Sequence, residues 1–268
     1  MAQLKRILAN TVTYNFFLKK NLILLFVLAL FLQCQAFAST VHSGWRKTFL
    51  FGYGITNADQ TQTVHIADTP SPGLDNRYVG SSKLNGSILF GFALEKEFAT
   101  SFKNSIAAAG FEMDYLRNKS VNGTVEPMVN VSPDFDILKY FYDIQSIVLQ
   151  ATAKLTKQEL FHNVSGYIQA GLGPAINQLS NYREYAPGDS TASPMLSPYG
   201  DKTTVNPALS AGIGVTYKLK SYDAYVSFGY RFFYTGRGKL TRSPAQQTSN
   251  SISLSPIYYQ FLVLSLSV

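Results

Sequence analysis

The sequence predicts an all-β fold, an eight-stranded antiparallel up-and-down β-barrel that crosses a membrane. Three observations predict it: an export signal at the N-terminus, eight stretches in which apolar and polar residues alternate, and links that alternate between short and long. Alternation is the mark of a strand whose two faces meet different surroundings. Tight turns at one end and long polar links at the other make a meander. A meander in a membrane must close, so that no unpaired edge meets lipid. Composition agrees: 46% of residues are hydrophobic, 14% aromatic and only 15% charged, where soluble domains carry about 25% charged residues.

The export signal has the three expected parts. Lys19 and Lys20 precede the apolar run Leu22–Leu32, and Ala36-Phe37-Ala38 supplies the small-residue end. The run is shorter than the roughly 18 apolar residues of a spanning helix. Residues 1–38 are therefore expected to be a cleaved signal peptide and residues 39–268 a single barrel domain. Loss of Lys5, Arg6, Lys19 and Lys20 takes the formal charge from +7 to +3 and removes Cys34, the sole cysteine. What remains has no thiol and no disulfide, and its charge gives no argument for nucleic acid.

The strands follow in order. Phe49, Phe51, Tyr53 and Ile55 share a face in the first; Ile88, Phe90, Phe92 and Leu94 do so in the second. Ala107, Ala109, Phe111, Met113 and Tyr115 make the third. The fourth, over 137–155, keeps Leu138, Tyr140, Tyr142 and Ile144 on the lipid side only if its phase slips near Gln145–Ser146, as a bulge allows. Ile168, Ala170 and Leu172 mark the fifth, and Leu209, Ile213, Val215 and Tyr217 the sixth. The seventh, Ala224–Gly236, sets Val226, Phe228, Tyr230, Phe232 and Tyr234 against Ser227, Gly229, Arg231 and Phe233. The last places Tyr258, Leu262, Leu264 and Leu266 outward, with Gln260 as a misfit. The long links are 67–83, 118–136, 178–206 and 239–251, and Trp45, Phe98, Phe102, Tyr222 and Tyr225 gather at the short-turn end as an interfacial girdle.

On the export signal, the strand pattern, the loop asymmetry, "GYRFFYTG" and the amphipathic last strand, the chain from about Trp45 to Val268 resembles the small eight-stranded outer-membrane barrels of Gram-negative bacteria, the OmpA-, OmpX- and OmpW-like group. Members usually end in Phe or Trp, whereas this sequence ends in Val268. The resemblance implies residence in the bacterial outer membrane, with the lipid bilayer as partner and the long loops outside the cell.

A lipid-facing arginine at the midplane would cost about 2–4 kcal/mol, so Arg231 is expected inside. There it joins Glu95, Glu97, Glu112, Asp114, Lys139, Asp143, Lys154 and Lys218 on inward positions, as a charge network in an interior that side chains fill. The network either plugs the barrel or lines a path. Catalytic, cofactor and metal sites are all read as none. Of the three histidines, His42, His65 and His162, the last lies three before Ser165 on a strand, so the two face opposite ways, and His65 has only Thr61 and Thr63 as near neighbours. The glycine pairs at 171–173 and 212–214 lack the third glycine and the helix of a dinucleotide loop. The expected role is non-enzymatic: a structural, surface-adhesion type of protein that meets a host or surface ligand through Tyr182, Arg183, Tyr185 and Tyr199 of the third long loop. The alternative is a narrow channel for ions or small hydrophobic molecules.

Overall fold

In the computed structural model the alternating stretches become twelve strands: β1 Trp45–Asn57, β2 Thr61–His65, β3 Asp75–Gly80, β4 Asn85–Ala99, β5 Ser105–Glu126, β6 Leu138–Phe161, β7 Val164–Tyr185, β8 Tyr199–Gly200, β9 Lys202–Leu219, β10 Ala224–Tyr234, β11 Thr241–Arg242 and β12 Tyr258–Ser267. The structure describes residues 44–58, 61–65, 75–81, 85–100, 102, 104–129, 137–161, 163–188, 194, 199–219, 223–242 and 251–268. The signal-peptide expectation for 1–38 lies outside them, as do Tyr222, His42, His162 and the side chain of His65.

Eight strands are the staves of a closed antiparallel barrel, in the order β4-β1-β12-β10-β9-β7-β6-β5, with β5 pairing back onto β4. Of the four short strands, β2 and β3 extend the wall, and β8 and β11 form a separate two-stranded sheet. β2 pairs with β3, β3 pairs with the far end of β5, and β8 pairs with β11. The β10–β12 link continues upward as a hairpin through Thr235 N–H to Ile257 O at 3.1 Å and Leu240 N–H to Ile252 O at 2.9 Å. Gln62 ties β2 to that hairpin, donating to Ser251 O and accepting from Ser253 N–H.

Strand length divides the barrel into two zones. β6 has 24 residues and β5 and β7 have 22 each, whereas β10 and β12 have 11 and 10. About 9–11 residues cross a membrane. The long strands therefore continue well beyond the crossing, on the side of the long links.

In the crossing zone the large apolar side chains point outward. Phe51, Tyr53, Phe90, Phe111, Met113, Leu149, Ile168, Leu172, Leu209, Ile213, Phe228, Leu262 and Leu264 are all exposed there. A continuous belt of this kind is the lipid-facing wall of a transmembrane barrel. Gln260 belongs to it, and its Oε1 accepts from the Tyr230 hydroxyl at 3.1 Å on the outer wall.

Above the crossing the pattern inverts. Leu138, Tyr140, Tyr142 and Ile144 are buried inside the wall, and Lys139, Phe141, Asp143 and Gln145 lie on the other face. β6 keeps one phase from Leu138 to Thr156, so the slip expected near Gln145–Ser146 does not occur. The register shifts fall elsewhere: on β5 between Asn118 and Val121, on β7, where Phe141 and Asp143 pair with Arg183 and Ser180, and at the short-turn end of β6 between Lys157 and Phe161. The physical reason is a change of solvent. Once the wall leaves lipid its outer face meets water, and the apolar face turns inward as in a soluble barrel.

Candidate functional site

The interior is built in layers. At the middle of the crossing zone Arg231, 1% exposed, donates from Nη1 to Glu112 Oε1 at 2.6 Å. Glu112 Oε2 accepts from Gln169 Nε2 at 3.0 Å, and Gln150 Nε2 reaches both Glu112 Oε1 at 3.0 Å and Asp114 Oδ2 at 2.8 Å. Ser210 donates to Gln150 Oε1 at 2.6 Å and accepts from Arg231 Nη2 at 3.4 Å. One guanidinium and two buried carboxylates are thus cross-linked by amides from β6 and β7 and a hydroxyl from β9. Backbone must come close for this: a Cβ on Gly171 would stand 2.6 Å from Ser210 Oγ and closer still to Gln150 Oε1. Glycine is the residue that leaves the room.

Toward the short-turn end Lys154 pairs with Glu95 at 3.5 Å and lies 4.9 Å from the centre of the Tyr167 ring. At the mouth Arg46 pairs with Glu97 at 2.6 Å and stacks 4.0 Å over Tyr225. Tyr225 therefore faces the interior mouth, while Phe98 and Phe102 are exposed as girdle residues.

Of the nine charged positions expected to share the interior, the structure brings Glu112, Asp114 and Arg231 together and sets Glu95 with Lys154 beside them. Glu97 is at the mouth with Arg46, an arginine the sequence reading missed although it shares its phase with Thr48 and Leu50. Lys218 is at the rim, more than half exposed and 3.9 Å from Asp223. Lys139 and Asp143 are corrections. Both lie on the outer face of β6 above the crossing, where Asn181 Nδ2 donates to Asp143 Oδ2 at 3.1 Å. Gln150, Gln169 and Ser210 carry no charge and escaped a search for charges, yet they hold the centre.

Above this polar centre the lumen turns aromatic, with Ser146 bonded to Asn177 Oδ1 at 2.7 Å and to the Tyr259 hydroxyl at 3.0 Å. Phe233 packs on Phe261 with centroids 6.0 Å apart, and Phe261 stacks on Tyr259. Higher still, Tyr140 is the hub of a tyrosine cluster: it stacks on Tyr142 and Tyr182 and meets the Tyr78 ring edge-on at 6.0 Å. Tyr199 closes the cluster against Tyr78 and Tyr182. Leu240, Ile252, Leu254 and Ile257 of the β10–β12 hairpin join the same buried core. Burial pushes the Tyr78 and Tyr182 hydroxyls well above the ordinary tyrosine range, and the Glu184 carboxylate, which accepts from Tyr182 at 2.7 Å, adds to the rise.

The loop contacts expected from sequence are corrected accordingly. Tyr182 and Tyr199 are 5% and 3% exposed and serve the core. Arg183 and Tyr185 lie on the outer face of β7, with the Tyr185 ring 6.1 Å from Phe141. The β7 bulge separates these roles, since it is the extra residue there that turns Tyr182 inward.

No family model matches the chain, and no curated protein matches it. Among solved structures it is similar to Neisserial surface protein A at 14% identity, covering 84% of this chain and 97% of that one with a TM-score of 0.41. It is similar to OprG from Pseudomonas aeruginosa at 11% identity, covering 85% and 97% with a TM-score of 0.41. It is also similar to Ail of Yersinia pestis, solved with the heparin analogue sucrose octasulfate, at 11% identity, covering 84% and 100% with a TM-score of 0.33.

Proposed function

We propose that this chain is an exported bacterial outer-membrane barrel that does not conduct, and whose role is non-enzymatic: to stand in the membrane and present a rigid extension outside the cell for surface contact. The observation that carries this reading is the aromatic core above the crossing. Tyr78, Tyr140, Tyr142, Tyr182 and Tyr199 fill the lumen of the extension together with Leu240, Ile252, Leu254 and Ile257. A polar path through the charged centre would have to continue through that core, where packed rings and aliphatic side chains occupy the lumen. The same core makes the extension a fixed scaffold, and binding groups sit well on a scaffold of that kind. Lipid on the outside is supported by the apolar belt, and the exported location by residues 1–38.

The channel alternative draws on the charged centre alone. Planar-bilayer recording separates the two: insertion without steady current supports the closed barrel, and steady current makes the channel the better reading. The surface-contact role is tested by exchanging Arg183 and Tyr185 together for Ala and measuring attachment of cells displaying the protein. Unchanged attachment removes these residues from the role.

A further inference from the structure

The outer wall of β5, β6 and β7 carries three rows of side chains that climb away from the apolar belt. The lowest row runs Ile88, Arg117, Gln145, Gln178 across β4 to β7. It sits at the upper edge of the belt, directly above Tyr115 and Ile147. Here the Tyr115 hydroxyl donates to Gln145 Oε1 at 3.2 Å, and the Nε of Arg117 is buried with no hydrogen-bond partner among the described residues. Above Gln145 on the outer face of β6 comes Asp143, and above it run the rows Asn122, Phe141, Arg183 and then Thr124, Lys139, Tyr185. Register therefore sets Arg183 across from Phe141 and Lys139 across from Tyr185, with an amide or hydroxyl from β5 completing each of those rows, while Arg117 has Gln145 across from it. The nearest acids are engaged: Asp143 accepts from Asn181, and Glu126 is held by Arg77 at 2.6 Å.

We propose that this stripe binds the phosphorylated sugar headgroup of a glycolipid in the leaflet where the barrel stands. Height selects the occupant. Arg117 lies where headgroup phosphates lie, and a guanidinium is suited to phosphate oxygens. From Gln145 to Phe141 and Lys139 is four and six residues along β6, or about 13 and 20 Å at the strand rise. With a strand tilt of roughly 40° that is about 10 and 15 Å above the belt, beyond the roughly 5–7 Å that a phospholipid headgroup layer adds on each side. A phospholipid reaches Arg117 only. A saccharide that carries phosphates reaches all three cations, and Phe141 and Tyr185 offer ring faces for sugar C–H groups.

The inference rests on the membrane location proposed above. The test uses the protein expressed from its full chain, purified from membranes and placed in three vesicle types. These are phosphatidylcholine alone, with phosphatidylglycerol, or with a lipopolysaccharide trimmed to its phosphorylated core. The readout is the temperature at which the compact gel band is lost. The wild type should gain about 5 °C or more with the sugar lipid and clearly less with phosphatidylglycerol. Lys139→Gln with Arg183→Gln should lower the sugar-lipid gain to the phosphatidylglycerol level, and Arg117→Gln should reduce both gains. Lys96→Gln, an exposed change at the opposite rim, should alter neither.

Equal gains with the two anionic lipids, or a double variant that responds as wild type, overturn the proposal. A full gain from the soluble trimmed saccharide in phosphatidylcholine vesicles overturns the glycolipid as occupant. Failure of the wild type to enter any vesicle sinks the membrane reading itself, which is a separate result. Lys139, Arg183 and Lys96 are exposed and Arg117 is half-buried, and a compact gel band in phosphatidylcholine confirms that each variant has folded.

Discussion

Replacing Arg231 by Met removes the one guanidinium that faces Glu112 and Asp114, and the structure sets the size of the effect. The arginine is fully enclosed, with a 2.6 Å charge-assisted bond to Glu112 and a weaker contact to Ser210. Taking one partner from a buried ion pair costs about 3–5 kcal/mol, because the other charge stays behind without compensation. Gln150 and Gln169 still donate to Glu112, so the loss should fall near the lower end, about 3 kcal/mol. Adding Glu112→Gln to Arg231→Met removes the stranded charge, and the double variant should recover at least about 1 kcal/mol of that loss. Urea unfolding in lipid vesicles, read from the compact gel band, gives both differences. An Arg231→Met protein as stable as wild type, or a double variant worse than the single, would refute the account of the centre.

Three further outcomes are expected. Phe111, 70% exposed on the lipid side, should cost about 2–4 kcal/mol when changed to Lys, whereas Lys139→Phe on the water-facing wall should change stability by less than about 0.5 kcal/mol; equal costs in unfolding titrations would contradict the two-zone wall. Tyr140→Ala should open the extension to protease by deleting the hub of its cluster, yet leave the crossing zone assembled in vesicles. The raised tyrosines set a pH dependence: their contribution is full below the ordinary tyrosine value of about 10 and is lost as pH rises beyond it, because the opened chain ionises and the buried hydroxyls do not. Stability of the extension should therefore fall by about 1.4 kcal/mol per pH unit for each of Tyr78 and Tyr182 above that point, and an extension equally protected at pH 9 and 11 would contradict their burial.

The crossing zone was legible because its chemistry is one-sided. In β10 the apolar set Val226, Phe228, Tyr230 and Phe232 could face only lipid, which left Arg231 inside, and the structure agrees. The extension was not legible by the same rule. Leu138, Tyr140, Tyr142 and Ile144 form an apolar face of identical appearance, and periodicity cannot say whether such a face meets lipid or a core. A signal was present in strand length. Leu138 to Lys154 alternates without a break if even positions are taken as inward, and that run is too long for one crossing. Lys139 and Asp143 then fall on the water side. The β7 bulge left no comparable trace, so Tyr182 and Arg183 read as neighbours in one loop and proved to serve opposite faces.

The central claim is that the tyrosine and leucine core closes the lumen above the charged centre. Conductance of the reconstituted protein across a planar lipid bilayer tests it most directly, in the wild type and in Arg231→Ala. The account predicts insertion with no steady current in either, because the core lies above the residue that is changed. A steady current that shifts in Arg231→Ala would contradict it and make the charges the lining of an open path.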